Sequence, residues 1–186
     1  MTKRDAGVAV VVGVVVGAFA AGYSRSGWTS GWQDSDHDCQ DTRQEVLIEE
    51  SVVPATLDAK GCRVLMGEWH DPYTGQTVSD PGALDVDHVV PLAWAHRHGG
   101  WAWSREQREQ YANDLAYPGH LVAVSASANR SKGDKGPDEW LPLEEDRCDY
   151  VQAWRAIITR WDLMLTWAER DTLDALLASC QEWTRP

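Results

Sequence analysis

Two short runs of the sequence carry residue types that could hydrolyse a phosphodiester bond. The first is Asp87-His88, and the second contains Asn129, Arg130 and Lys132. A histidine near neutral pH can act as the general base that activates a water molecule. The oxygens of Asp87 and Asn129 suit a hard divalent cation. The charges of Arg130 and Lys132 can stabilise the transition state.

The elements around these runs predict two strands followed by a helix. Residues 83–86 read as a short strand that leads into Asp87-His88, and residues 120–125 read as a second strand. A short helix opens at Ser127 or a neighbour, contains residues 129–132 and ends at Gly133. Because side chains alternate along a strand, Asp85 should share a face with Asp87 as a supporting or structural residue.

The spacing of these runs resembles the HNH endonucleases of the His-Me finger superfamily. More narrowly, the chain resembles the nuclease domain at the C-terminus of GmrSD-type restriction enzymes and its stand-alone exported relatives. The resemblance covers roughly residues 38–180. Its pieces are 41–47, 67–69, 71–75, 85–92 (DVDHVVPL), 111–115 (YANDL), 129–134 (NRSKGD) and 137–142.

The resemblance implies a role for each matching residue. His88 corresponds to the general base, and Asp87 to one metal ligand. Asn129 corresponds to the other ligand, at a place where many HNH enzymes have histidine. Asn113 corresponds to the middle asparagine that holds the active-site loop, with Asp114 as the alternative residue. These roles imply a Mg²⁺ cofactor, with Mn²⁺ as a substitute, and DNA as the substrate, with RNA as the alternative.

The implied fold is α+β, a ββα-metal core with a peripheral β-hairpin and a C-terminal helical hairpin. Arg130 and Lys132 complete the expected catalytic set with His88 and Asn113. A non-catalytic exported or membrane-tethered binding protein on a degenerate nuclease scaffold is the alternative function. The presence of all the motif residues argues against that alternative.

Charged residues outside the motifs have simpler interpretations. Arg43 is expected to form a salt bridge, with a phosphate contact as the alternative. His96 and His98 are interpreted as a solvated helix end. His120 begins a strand and is a second residue that could pack near the site.

Composition sets broad limits on the function. The 186-residue chain has a formal net charge of −12, which argues against a protein that holds nucleic acid through bulk charge. Its 43% hydrophobic content excludes global disorder. An acidic molecule with a few basic residues at the site should bind nucleic acid weakly and with strong salt dependence. We expect a monomer.

The N-terminus predicts export. Lys3 and Arg4 precede an apolar run over residues 7–22 that contains an Ala-Phe-Ala cleavage pattern at 18–20. Residues 1–22 are therefore a cleaved signal peptide or an uncleaved membrane anchor. Both options place the nuclease domain outside the cell, secreted or membrane-anchored, and limit membrane contact to this segment. Residues 23–37 are expected to form a flexible linker, and residues 38–186 the nuclease domain.

Four cysteines in an exported chain predict two disulfides, and sequence alone allows three pairings. Their spacing disfavours a zinc site. Apolar residues at helical spacing over 150–161 and 167–179 predict two helices, and Thr166 with Glu169 forms a capping box for the second. If these helices pack antiparallel, Cys148 meets Cys180, which leaves Cys39 to pair with Cys62.

Overall fold

The computed structural model describes residues 22–183. Within that range the chain forms short antiparallel strand pairs surrounded by helices. The helices are α1 (Thr42–Glu49), α2 (Leu92–Arg97), α3 (Arg105–Ala112), α4 (Ala126–Lys132), α5 (Arg147–Arg160) and α6 (Trp167–Trp183). The strands are β1 (Thr56–Leu57), β2 (Val64–Met66), β3 (Trp69–His70), β4 (Thr77–Val78), β5 (Leu84–His88) and β6 (Leu121–Ser125). The expected α+β class is confirmed.

A ββα unit forms the centre of the molecule. Strands β5 and β6 are antiparallel, with a register that runs from Leu84 opposite Ser125 to His88 opposite Leu121. Helix α4 follows β6 directly. The Ser125 side chain caps its start by accepting a hydrogen bond from the first-turn amide of Ala128. The helix ends at Gly133, whose φ of 59° favours glycine. This arrangement is the one predicted from the two motif runs.

The two faces of the β5–β6 pair contribute to different hydrophobic clusters. Alternation places the apolar side chains of Leu84, Val86 and Ala123 in a cluster with Leu47 of α1 and the fully buried Trp69. Asp85 and Asp87 lie on the opposite face of β5. Helix α4 packs against both strands, so its polar side chains meet this acidic face.

The C-terminal helices form the expected hairpin. Cys148 near the start of α5 is bonded to Cys180 near the end of α6, which requires the two helices to run antiparallel. The predicted capping box at α6 is present, since Glu169 accepts hydrogen bonds from the amide and hydroxyl of Thr166. The remaining disulfide joins Cys39 to Cys62, so both predicted pairings are confirmed.

Residues 63–69 belong to two different strands. Strand β2 pairs with β1, whereas β3 pairs with β4 across the turn at residues 71–75. The break occurs at Gly67, where a β-carbon would lie 2.5 Å from the indole of Trp69. Only glycine permits this close approach. The separate β3–β4 hairpin brings the 71–75 turn towards the central strands.

The segment at residues 22–33 packs against the domain and does not behave as the expected linker. The side chain of Trp28 is fully buried, with its ring 5.5 Å from those of both Trp103 and Tyr111. The Trp28 indole donates a hydrogen bond to His96, 3.2 Å away. His96 is therefore buried, and its interpretation as part of a solvated helix end is wrong. Small polar residues around Trp28 predict a linker, but one large aromatic side chain outweighs them.

The predicted signal peptide or anchor falls almost entirely outside the described residues. Among residues 22–183, no helix has both the length and the hydropathy needed to cross a membrane.

Candidate active site

Strand β5 and helix α4 bring the two predicted metal ligands to one cleft of about 510 Å³. Asp87 and Asn129 both line this cleft, together with His88. The Asn129 amide nitrogen donates to Asp85 Oδ2 at 3.0 Å. Asp85 therefore has a supporting role, because this bond orients Asn129 so that its Oδ1 is left for another partner.

Two aromatic rings lie nearly parallel to the His88 imidazole. The Trp32 indole stacks on it at 5.5 Å between centroids with 15° between planes, and the Tyr111 phenol lies parallel at 6.3 Å. One ring nitrogen, Nε2, lies 2.9 Å from the carbonyl oxygen of Ala112. A neutral imidazole that donates from Nε2 keeps Nδ1 as its proton acceptor.

Burial keeps this imidazole neutral. Loss of solvent is the main cause that lowers the pKa of His88 well below its ordinary value, and nearby His120 lowers it further. His120 itself is fully buried and hydrogen-bonded to the Tyr111 carbonyl oxygen. The His120 ring packs edge to face against the His88 ring, with 6.0 Å between centroids. His120 therefore lies near the site, one of the positions that the sequence suggested for it. His88 is thus oriented and uncharged, as a general base requires.

Lys132 contacts Asp87 from the interior of the protein. Its side chain is fully buried, its Nζ lies 2.8 Å from Asp87 Oδ2, and it donates to the His88 carbonyl oxygen at 3.0 Å. The predicted role of this lysine was to stabilise transition-state charge directly. The structure instead shows it holding Asp87, and it does not line the cleft. Burial raises the pKa of Asp87, and the Lys132 charge opposes that rise.

Tyr73 is a site residue that sequence reasoning missed. Its hydroxyl donates to Asp87 Oδ2 at 2.8 Å, so this carboxylate oxygen has two protein partners. The buried carboxylate of Asp71 holds Tyr73 by accepting from its amide, and it also accepts from the Ser125 amide of β6. The 71–75 turn was visible in the sequence, but no spacing rule links a turn to a carboxylate on a distant strand.

The structure places Asn113 beside the site and outside the cleft lining. Its side-chain oxygen accepts from the Gln33 amide at 3.0 Å, and its side-chain nitrogen donates to the Glu109 carbonyl oxygen. Gln33 follows Trp32, the residue stacked on His88. Asp114, the alternative residue, instead pairs with Arg160 at 2.8 Å. Asn113 therefore holds a loop that reaches the site.

Three arginines reach the cleft from separate parts of the chain. Arg43 on α1 donates to the carbonyl oxygens of Pro81 and Leu84, and within residues 22–183 it forms no salt bridge of the kind expected. Arg130 of α4 is exposed at the rim, and within residues 22–183 it forms no ion pair. Arg25 also lines the cleft. Three aspartates also line the cleft, so its formal charges balance, whereas the chain as a whole is strongly acidic.

The donor set fits a hard divalent cation. Within the described part of the chain, the hydrogen bonds and the ion pair of Asp87 use Oδ2, and Asn129 bonds through its nitrogen. Asp87 Oδ1 and Asn129 Oδ1 are thus the oxygens without a protein partner. Oxygen ligands of this type suit Mg²⁺ or Mn²⁺ better than zinc.

The chain matches the family model described as GmrSD restriction endonucleases, C-terminal domain, over residues 40–173. It belongs to this family. The resemblance drawn from the motif runs is confirmed, and the domain is one of an HNH nuclease family.

A relative of this GmrSD-type domain occurs in Arthroderma benhamiae, where it is described as an uncharacterized secreted protein. It is 39% identical over 120 residues, which cover 64% of this chain and 58% of the relative. The chain therefore spans less than two thirds of that relative's length. No solved structure matches the chain.

The GmrSD match begins after residues 22–33, the segment that carries Trp32. Residues 40–173 include Asp87, His88 and Asn129, whereas Trp32 and Arg25 precede residue 40. Part of the cleft wall is thus built from residues outside the matched domain.

Proposed function

We propose that this chain is an exported, metal-dependent endonuclease that hydrolyses phosphodiester bonds of DNA. The observation that carries the proposal is the convergence of His88, Asp87 and Asn129 on one cleft, with the imidazole held by Ala112 and two aromatic rings. Membership of a nuclease family supports a nucleic-acid substrate. Two disulfides and the secreted relative support export.

In this mechanism His88 takes a proton from the attacking water. Its Nε2 donates to the Ala112 carbonyl oxygen, so the proton moves to Nδ1. The rings of Trp32 and Tyr111 restrict rotation of the imidazole, and burial keeps it neutral before the reaction. A general base in this geometry contributes about 10²- to 10⁴-fold to the rate.

Asp87 and Asn129 are the residues that would hold Mg²⁺, with Mn²⁺ as a substitute. A bound divalent cation supplies charge neutralisation at the phosphate and at the leaving oxygen. Tyr73 and Lys132 hold the Asp87 carboxylate through Oδ2, which directs Oδ1 to this role. The exposed guanidinium of Arg130 can bind a phosphate at the rim.

The test is cleavage by the purified full chain with its disulfides intact. Plasmid DNA and single-stranded RNA are incubated with Mg²⁺, Mn²⁺ or EDTA, and His88→Ala is compared with His70→Ala. His70 is an exposed histidine on β3 outside the cleft. We expect nicking that needs metal, a loss of at least about 100-fold in His88→Ala and full activity in His70→Ala.

Undiminished cleavage by His88→Ala would refute the assigned base. A folded chain that cleaves neither substrate with any metal would instead favour the binding-protein alternative. Cleavage of RNA but not DNA would overturn the proposed substrate and leave the catalytic assignment in place.

A further inference from the structure

The segment at residues 22–33 is fixed to the domain through its backbone. Arg108 donates to the Gly27 carbonyl oxygen at 3.3 Å, and the Gln33 amide donates to Asn113. The Gln33 carbonyl oxygen in turn accepts from the hydroxyl of Thr42 at the start of α1. With Trp28 buried in the core, these bonds hold the middle and the C-terminal end of the segment.

Three side chains of the fixed segment line the cleft that contains Asp87 and Asn129. Tyr23, Arg25 and Trp32 line it together with His88 and Asn129. Within residues 22–183, the Arg25 guanidinium forms neither an ion pair nor a hydrogen bond, although carboxylates are abundant. An unpaired guanidinium beside a nuclease centre has the chemistry of a phosphate ligand.

Trp32 acts on the catalytic centre in a different way. Its ring lies nearly parallel to the His88 imidazole, 5.5 Å away between centroids, and the Tyr111 ring lies parallel to the same imidazole at 6.3 Å. Contact with two parallel rings restricts tilting of the imidazole, so the nitrogen that accepts the proton keeps its direction. Misplacement of a reacting group by about 1 Å can lower a rate about 100-fold.

We propose that residues 22–33 form a substrate-binding wall of the active site, in which Arg25 binds a phosphate of the nucleic-acid strand and Trp32 positions His88. The inference rests on the proposed nuclease function. It assigns part of the site to residues that lie before the matched family domain. Because the chain carries a net charge of −12, binding depends on the few cations that the cleft supplies.

The phosphate contact is tested by binding that does not need turnover. Fluorescence anisotropy of a labelled single-stranded and a labelled duplex oligonucleotide is measured in EDTA, at several salt concentrations, with the full chain. Arg25→Gln is compared with Arg63→Gln, which removes the same charge at an exposed position outside the cleft. The Arg25 substitution keeps the backbone bond from the Trp28 amide.

We expect Arg25→Gln to weaken binding about tenfold, the loss of one charge-assisted hydrogen bond. The slope of log affinity against log salt should decrease in magnitude by about 0.7 to 0.9, as one phosphate contact is lost. Arg63→Gln should change neither quantity. Equal effects of the two substitutions, or absence of measurable binding by the unsubstituted chain, would overturn the phosphate assignment.

The positioning role is tested by kinetics of Trp32→Ala and Trp32→Phe. We expect Trp32→Ala to lower kcat about 10- to 100-fold with little change in KM, and Trp32→Phe to restore most of kcat because it retains a flat ring. A rise in KM alone, or no rescue by phenylalanine, would contradict positioning.

Failure of this inference is distinct from failure of the proposed function. Cleavage that depends on His88 but is insensitive to Arg25 and Trp32 would refute the wall and retain the nuclease. Binding that depends on Arg25 in a chain that never cleaves would retain the wall's phosphate contact and refute the nuclease.

Discussion

The buried ion pair between Lys132 and Asp87 should be energetically coupled far more strongly than a surface pair of similar geometry. The perturbation is a double-mutant cycle with Lys132→Met and Asp87→Asn. Methionine matches much of the length of lysine and removes its charge. We expect Lys132→Met alone to destabilise the fold by about 3–5 kcal/mol, because it leaves a buried carboxylate without its cation.

The magnitude follows from distance and burial. Lys132 Nζ lies 2.8 Å from Asp87 Oδ2, with side chains 0% and 8% exposed. At an effective dielectric constant of about 20, the Coulomb attraction is about 6 kcal/mol. Because desolvation offsets part of this attraction, we expect a coupling energy of about 2–4 kcal/mol.

The pair between Arg97 and Asp134 is the matched control. Its nitrogen and oxygen are closer, at 2.6 Å, but the side chains are 47% and 59% exposed. A cycle with Arg97→Met and Asp134→Asn should therefore give a coupling below about 1 kcal/mol. Since the shorter distance belongs to the exposed pair, a larger coupling at Lys132 can come only from burial.

Both cycles are measured by urea unfolding at pH 7 in EDTA, with the disulfides oxidised. EDTA removes divalent cations that would otherwise compensate the Asp87 charge in the Lys132 variant. A coupling below about 1 kcal/mol for Lys132 and Asp87, or equal values for the two cycles, would refute the conclusion that Lys132 holds Asp87 through a desolvated ion pair.

Three further predictions concern stability, measured as the free energy of unfolding in urea. Burial raises the pKa of Glu50 from 4.5 to about 7. The free energy of unfolding should therefore fall as the pH rises from about 4.5 through about 7, because ionisation of the buried carboxyl is disfavoured in the folded chain. Glu50→Gln should stabilise the chain by about 2–3 kcal/mol at pH 8 and not at pH 4, whereas Glu49→Gln at the exposed neighbouring position should show a much smaller difference, because Glu49 acts on Glu50 only through its charge. Removing the Cys148–Cys180 disulfide by double serine substitution should cost about 3–4 kcal/mol, given its 32-residue separation; an unchanged urea midpoint would contradict this. Trp28→Ala should cost about 3–5 kcal/mol, because the Trp28 side chain is fully buried in the core; a cost under about 1 kcal/mol would contradict this.

The sequence by itself determined the local elements, because their signals act between near neighbours. The side chains of Ser104 and Gln107 form the capping box that begins α3, and Gly133 ends α4. Such contacts span three or four residues, so the residue types are enough to place them. Strand alternation and the two motif runs likewise placed Asp87 and Asn129 on facing sides of one ββα unit.

Tertiary structure alone decided which polar side chains became buried and with which partners. Lys132 reads as a lysine that stabilises transition-state charge, yet it is fully buried because Asp87 of β5 faces α4 and pairs with its charge. Trp28 lies in a stretch of linker composition, yet it buries His96 and brings Trp32 onto His88. Burial and pairing depend on residues distant in the chain, whose meeting is decided by how the elements pack.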